Sequence, residues 1–247
     1  MIEKMKRPGG ALASRPLHFI WLVDCSGSMC GEKIGTVNNA IQEAIPEMKS
    51  AADENPNAQL MIRAVEFSTG AQWITSQPVN IEDYSWKDMS AGGLTDLGAA
   101  LDLVSAELTV PPMSERALPP VLVLLSDGQP TSSYKKELDK LLHQPWGKKS
   151  VRIAIAIGKD ADKDVLAEFT GNTELVLEAN NARMLAKMIK WASTVAAAVS
   201  APASRPNEVS NTDSSNGDTP AVNTPIVIDM DSIPKDDPSD IDAGDVW

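Results

Sequence analysis

The chain has 247 residues, with 22 Lys+Arg against 34 Asp+Glu, two His and two Cys, and a formal net charge of -12. Two histidines leave little room for His-based catalytic clusters. An acidic chain without a basic stripe lacks the electrostatic footprint for phosphate backbones or anionic bilayers, so neither nucleic acid nor membrane is an expected partner. No run approaches the roughly 18–20 apolar residues of a membrane span, and the longest candidate, Ala192–Ala203, is broken by Pro202.

Residues 1–15 begin basic but carry no apolar stretch ahead of a small-residue cleavage site, so they read as a flexible N-terminus rather than a secretory signal. The apolar run Leu17–Val23 predicts a first strand, which leads into the loop Asp24-Cys25-Ser26-Gly27-Ser28. Lys33–Ala52 follows as a helix, with Val37, Ile41, Ala44, Ile45 and Met48 at spacings of three and four. Gln59–Phe67 and Ala71–Thr75 read as strands, and Gly92-Gly93-Leu94-Thr95-Asp96 opens a helix over Asp96–Leu108. Strand Val121–Ser126 ends in Ser126-Asp127-Gly128, and helix Ser133–His143, strand Val151–Ile157, helix Lys163–Thr170, strand Leu175–Leu177 and helix Asn181–Ala198 complete the pattern.

Strands such as VLVLL and IAIAI are apolar throughout and must be buried on both faces, so their alternation with helices predicts a mostly parallel sheet between helical layers. The expected class is α/β: a Rossmann-like, doubly wound, six-stranded sheet over residues 16–200. Residues 201–247 form an acidic tail, with ten acids against Arg205 and Lys235, and therefore hold eight of the twelve net negative charges. With Trp247 its only aromatic residue, the tail buries too little apolar area to offset ordering entropy and is expected to be disordered alone.

In such sheets ligands bind beyond the carboxyl ends of the strands, where the strand order reverses. Three oxygen-bearing loops fall at such ends here: DCSGS, GGLTD and SDG. Hydroxyls, carboxylates and waters are the ligands of a hard divalent cation, with Mg²⁺ the first expectation and Mn²⁺ or Ca²⁺ the alternatives. Any one of these loops alone also reads as ordinary turn and N-cap chemistry. Their conjunction, in this order on one sheet, resembles the von Willebrand factor A family, whose metal-ion-dependent adhesion site has the pattern DxSxS, then Thr, then Asp. Asp24, Ser26, Ser28, Thr95 and Asp127 match those five positions.

The resemblance implies direct metal bonds from the two Ser and the Thr hydroxyls, Asp contacts made directly or through water, and one position left for an Asp or Glu carboxylate from a protein partner. Mostly neutral ligands leave the cation's charge poorly quenched, which favours such an anion. Asp96 either positions a metal water or serves its helix start as a first-turn acid. Glu32 and Lys33 either rim the site or form a solvated helix start. The runs PLHFIWLVDCSGSM and GGLTDLGAAL are similar to the bacterial TerY-type subgroup. That similarity implies a non-enzymatic cytoplasmic adaptor serving a protein kinase and a PP2C-like phosphatase in stress response, tellurite resistance or phage defence. An adaptor of an AAA+ ATPase is the alternative.

Enzyme readings fare poorly. Gly27 to Lys33 has the wrong spacing for a Walker loop, no Arg lies six positions after either Cys, and GxSxG is absent. An aspartate-based Mg²⁺ phosphohydrolase would commonly carry a second carboxylate at the position of Ser26. Cys25 and Cys30 match neither a CxxC motif nor the usual zinc spacings, and two unpaired thiols fit a reducing compartment. Met48, Met61, Met184 and Met188 read as packing residues. In the tail, Pro225–Ile233 and Ile241–Trp247 are apolar islands with the makings of docking motifs, Ile241 and Trp247 as anchors. Asp240, Asp242 or Asp245 could instead supply the carboxylate to the chain's own metal.

Overall fold

The computed structural model describes residues 14–54, 58–195 and 230–235, together with the backbone of residues 196–200. Seven strands and five α-helices follow one another as β1 (Arg15–Asp24), α1 (Glu32–Asp53), β2 (Ala58–Ser68), β3 (Gly70–Trp73), β4 (Val79–Asn80), α2 (Leu97–Glu107), β5 (Val121–Ser126), α3 (Lys135–His143), β6 (Val151–Ile157), α4 (Lys163–Thr170), β7 (Val176–Ala179) and α5 (Ala182–Ser200). They form one sheet in the order β3-β2-β1-β5-β6-β7, parallel from β2 through β7. Both β3 and β4 pair antiparallel with β2.

Strand alternation divides the core in two. Leu17, Phe19, Trp21 and Val23 of β1, with Val121, Val123 and Leu125 of β5, pack under α1 and α5. Ile20 and Leu22, with Leu122 and Leu124, pack under α2, α3 and α4. Side chains one residue apart on a strand point to opposite faces, so a central strand covered on both sides must be apolar at every position.

The sequence reading expected six strands. The seventh, β4, is two half-buried residues, too short to leave a periodic signal. β3 begins earlier than expected because Gly70, at a φ of 90°, closes a tight hairpin with β2. β7 begins one residue later because Leu175 ends a 3-10 turn. Of the four methionines read as packing residues, Met48, Met184 and Met188 are buried and Met61 is half-buried.

Away from the strand ends, Arg63 of β2 is buried, donating to Glu107 Oε2 at 2.7 Å and to the carbonyls of Thr75 and Ser76, with its guanidinium 3.6 Å from the Trp73 ring centre. His18 of β1 is also buried, and desolvation, reinforced by the Arg63 charge, lowers its pKa to about 4.

Two outcomes follow. Glu107→Ala leaves the Arg63 charge buried without its carboxylate and is expected to cost about 3 kcal/mol in urea denaturation. His18 is neutral in the fold but titrates near its ordinary value when unfolded, so below about pH 6.5 the unfolded chain binds the extra proton. Stability should therefore fall as pH drops from about 6.5 to about 4, by roughly 3 kcal/mol over that window, and His18→Gln should flatten this part of the profile.

Candidate metal centre

β1 and β5 are neighbours in the middle of the sheet, and the connection from β1 leads to one side while β5 opens the other half. Their carboxyl ends therefore flank the reversal of strand order, where two loops diverge and leave a crevice. Asp24, the last residue of β1, and Asp127, directly after β5, meet there and are both fully buried.

Asp24 is well held. Its Oδ1 accepts from the Ser26 backbone N at 2.9 Å and its Oδ2 accepts from Ser126 Oγ at 2.6 Å. Ser126 Oγ also accepts from the Gly128 backbone N at 2.8 Å, so one hydroxyl ties the first loop to the third. Burial raises the Asp24 pKa, the serine hydrogen bonds oppose the shift, and the neighbouring Asp127 charge adds to it. Asp127 differs: neither carboxylate oxygen has a hydrogen-bond partner, although both are buried. A buried carboxylate without donors costs several kcal/mol unless something positive compensates it.

The remaining three positions converge through backbone hydrogen bonds. Ser26 is buried and Ser28 exposed on the 3-10 turn Gly27–Met29, with their Oγ atoms 3.0 Å apart. The Gly27 N donates to Gly93 O at 3.0 Å and the Gly92 N to Cys25 O at 2.7 Å, joining the GGLTD loop to the first. Thr95 is buried, and its backbone is held on both sides by Thr131, whose N and Oγ1 donate to Thr95 O and whose Oγ1 accepts from Thr95 N. Gly93, at a φ of 87°, lets its loop approach Thr69, where an added Cβ would lie 2.7 Å from Thr69 Oγ1. Gly128, at a φ of 68°, packs so closely on Asp162 that a Cβ would lie 2.5 Å from its carbonyl oxygen.

Direct hydrogen bonds thus link Asp24, Ser26 and Ser28, Asp127 lies near enough for its charge to act on Asp24, and the loop that ends in Thr95 is tied to theirs through Gly27 and Gly93. The rim residues are placed differently. Asp96 is the N-cap of α2 rather than a first-turn residue: its Oδ1 accepts from Ala99 N at 3.1 Å and from Ser132 Oγ at 2.8 Å. Glu32 is exposed in the first turn of α1, and Lys33 reaches over to Asp160 at 3.7 Å. Ile241 and Trp247, like Asp240, Asp242 and Asp245, lie outside the described residues. Sequence reasoning gave no role to Ser126, although its place beside Asp127 at the strand end was a usable signal. It also missed Thr131 and Thr69, whose contacts depend on loops meeting in space.

Cys25 is buried against Met89, and burial, with Glu66 and Asp24 nearby, pushes its thiol up to about 12, so it stays protonated. His143 is exposed on α3, bonded to the Asp139 carbonyl.

The family model for the von Willebrand factor type A domain matches residues 19–191, which includes all five positions. The chain belongs to the von Willebrand factor type A domain family. Solved structures with similar folds include the ArnB paralog VWA2 from Sulfolobus acidocaldarius, at 19% identity and a TM-score of 0.54 over 71% of this chain and 44% of that one. A von Willebrand factor type A protein from Catenulispora acidiphila matches at 17% and 0.56, over 75% and 43%. Proximal thread matrix protein 1 from the mussel byssus, with a zinc-occupied MIDAS motif, matches at 19% and 0.53, over 75% and 46%. At these identities the likeness is one of fold, and the match spans less than half of each of those chains. No match is found among curated protein sequences. Among the described residues, no helix of this von Willebrand A domain is long and apolar enough to cross a membrane.

Removing one of two adjacent buried charges should help the cation-free domain. Asp127→Asn is therefore expected to raise its melting temperature in EDTA, by an amount equivalent to about 1 kcal/mol. Asp24→Asn, which weakens acceptors already in use, should lower it. Thermal melts of the three proteins in chelator test the contrast.

Proposed function

We propose that this von Willebrand A domain is a non-enzymatic adaptor that engages a protein partner through a divalent cation held by Asp24, Ser26, Ser28, Thr95 and Asp127. The observation that carries the reading is the Asp127 carboxylate, wholly buried beside Asp24 with both oxygens unpartnered. Two acids and three hydroxyls are a hard-oxygen donor set, which favours Mg²⁺ over softer ions, although the mussel byssus relative holds zinc at its motif. When bound, the cation supplies a positive centre whose remaining coordination can be completed by an Asp or Glu carboxylate of the partner.

The chain's own residues prepare that encounter. Ser126 and the Ser26 amide orient Asp24, Thr131 holds the Thr95 backbone, and Ser28 lies at the exposed mouth. Leu94, immediately before Thr95, is 57% exposed, yet its amide is fixed by Thr69 Oγ1 at 3.1 Å. A leucine held rigidly in solvent beside the cluster offers an apolar contact to a residue flanking the partner's carboxylate. The similarity to the TerY-type subgroup supports a cytoplasmic setting with a protein kinase and a PP2C-like phosphatase as partners, in stress response, tellurite resistance or phage defence.

Mg²⁺ is expected to raise the melting temperature of the wild type, equivalent to about 2.7 kcal/mol at a hundredfold excess over Kd, and not that of Asp24→Ala/Ser26→Ala. Native-lysate pull-downs should recover a kinase or phosphatase with wild-type bait and lose it with that variant and with EDTA. A hexameric ATPase as the main metal-dependent partner would sink the kinase and phosphatase assignment. A partner lost only when the chain ends at residue 200 would place the function in the tail. Leu94→Asp should retain the Mg²⁺-dependent stabilisation while weakening partner recovery roughly tenfold or more.

A further inference from the structure

Trp191 lies within α5, 6% exposed in the layer that α5 shares with α1. Its indole Nε1 donates to Ser232 Oγ at 2.9 Å, a residue 41 positions later. The short turn Met230–Ser232 makes that contact, and Ile233 beside it is half-buried against the same core layer, with Pro234 also half-buried and Lys235 exposed. The segment overlaps Pro225–Ile233, one of the two apolar islands of the acidic tail. The donor has no other recorded acceptor, and two further tryptophans, Trp21 and Trp146, have buried Nε1 atoms with no partner at all. Buried indole N–H groups usually find an acceptor, and for Trp191 that acceptor comes from the far end of the chain.

We propose that residues 230–235 are an intramolecular latch: the chain's own Ser232-Ile233-Pro234 occupies the α5 surface around Trp191 in cis. Ser232 then lies against the flank of α5, nine residues before that helix ends. Chain length permits this with slack. Ser200 and Trp191 are separated by nine helical steps, about 14 Å, and the 29 residues between Ser200 and Met230 can span up to about 100 Å. Closure costs rise only slowly with length, so a connection this long carries a modest penalty. The contacts include the Trp191–Ser232 hydrogen bond and the half-buried Ile233, and they lie on the surface of α5, so the latch can open while the domain stays folded. The latch stands on its own geometry and does not require a cation at the strand ends.

The test uses the full chain labelled with 5-fluorotryptophan, its six fluorine signals resolved by NMR and the Trp191 signal assigned with Trp191→Phe. Hydrogen exchange of the α5 amides is followed by mass spectrometry on unlabelled chain. Ser232→Ala and Ile233→Asp, both at the surface, are each expected to shift the Trp191 signal alone, and Ile233→Asp to quicken exchange over residues 184–195 about five- to tenfold, at monomeric mass. An unmoved Trp191 signal and unchanged exchange in both variants would overturn the latch. So would protection that rises with protein concentration alongside a dimeric mass, which would make the occupant a second copy. A synthetic peptide of residues 228–236, in excess, should restore slow exchange to Ile233→Asp, and its failure to do so at millimolar concentration would count against a surface specific for this segment.

Discussion

Two carboxylates buried side by side at the ends of neighbouring parallel strands set the terms for this molecule. Asp24 and Asp127 have no exposed surface, and adjacent desolvated charges of one sign are among the least favourable arrangements a fold can hold. Asp24 is satisfied by Ser126 and by the Ser26 amide, whereas Asp127 has neither. A stability-driven core would have no use for that asymmetry. It leaves Asp127 with two buried acceptor oxygens that no hydrogen bond among the described residues satisfies.

The surrounding architecture follows from this pair. The strand order reverses between β1 and β5, so the loops leaving them part and expose the crevice. The other segments are drawn in by backbone hydrogen bonds, Gly27 to Gly93, Gly92 to Cys25 and Thr131 to Thr95. Gly93 and Gly128 permit approaches that a side chain would block. Rigid loops fix the donor oxygens before any ligand arrives, which reduces the ordering cost of binding. Cys25 beside the cluster is a protonated packing residue, and Asp96 caps α2.

Away from the strand ends, the buried Arg63–Glu107 pair and neutral His18 give the lower part of the sheet its own electrostatic demands. The contact between Trp191 and Ser232 shows a third solution to a buried polar group, in which the acceptor is recruited from distant sequence. For Arg63 and Trp191 the position of the hydrogen-bond partner dictates which segments meet, whereas Trp21 and Trp146 keep buried indole N–H groups without one.

The α/β class, the central strands and the family pattern at Asp24, Ser26, Ser28, Thr95 and Asp127 were legible in the sequence. Continuous apolar runs such as VLVLL can only be strands buried on both faces, and the oxygen-bearing residues follow those runs directly. Where the signal was short or non-local, sequence was silent. β4 has two residues and no period, the roles of Ser126, Thr69 and Thr131 arise only once three loops meet, and the contact of Asp96 Oδ1 with Ser132, beside its cap on Ala99, joins residues 36 positions apart. Pro225–Ile233 stood out as an apolar island in the acidic tail, but the surface it meets, with Trp191 Nε1 donating to Ser232, is 41 positions away in the chain. Local chemistry and periodicity are written along the chain. Which distant groups become each other's hydrogen-bond partners is decided only when packing brings them within about 3 Å.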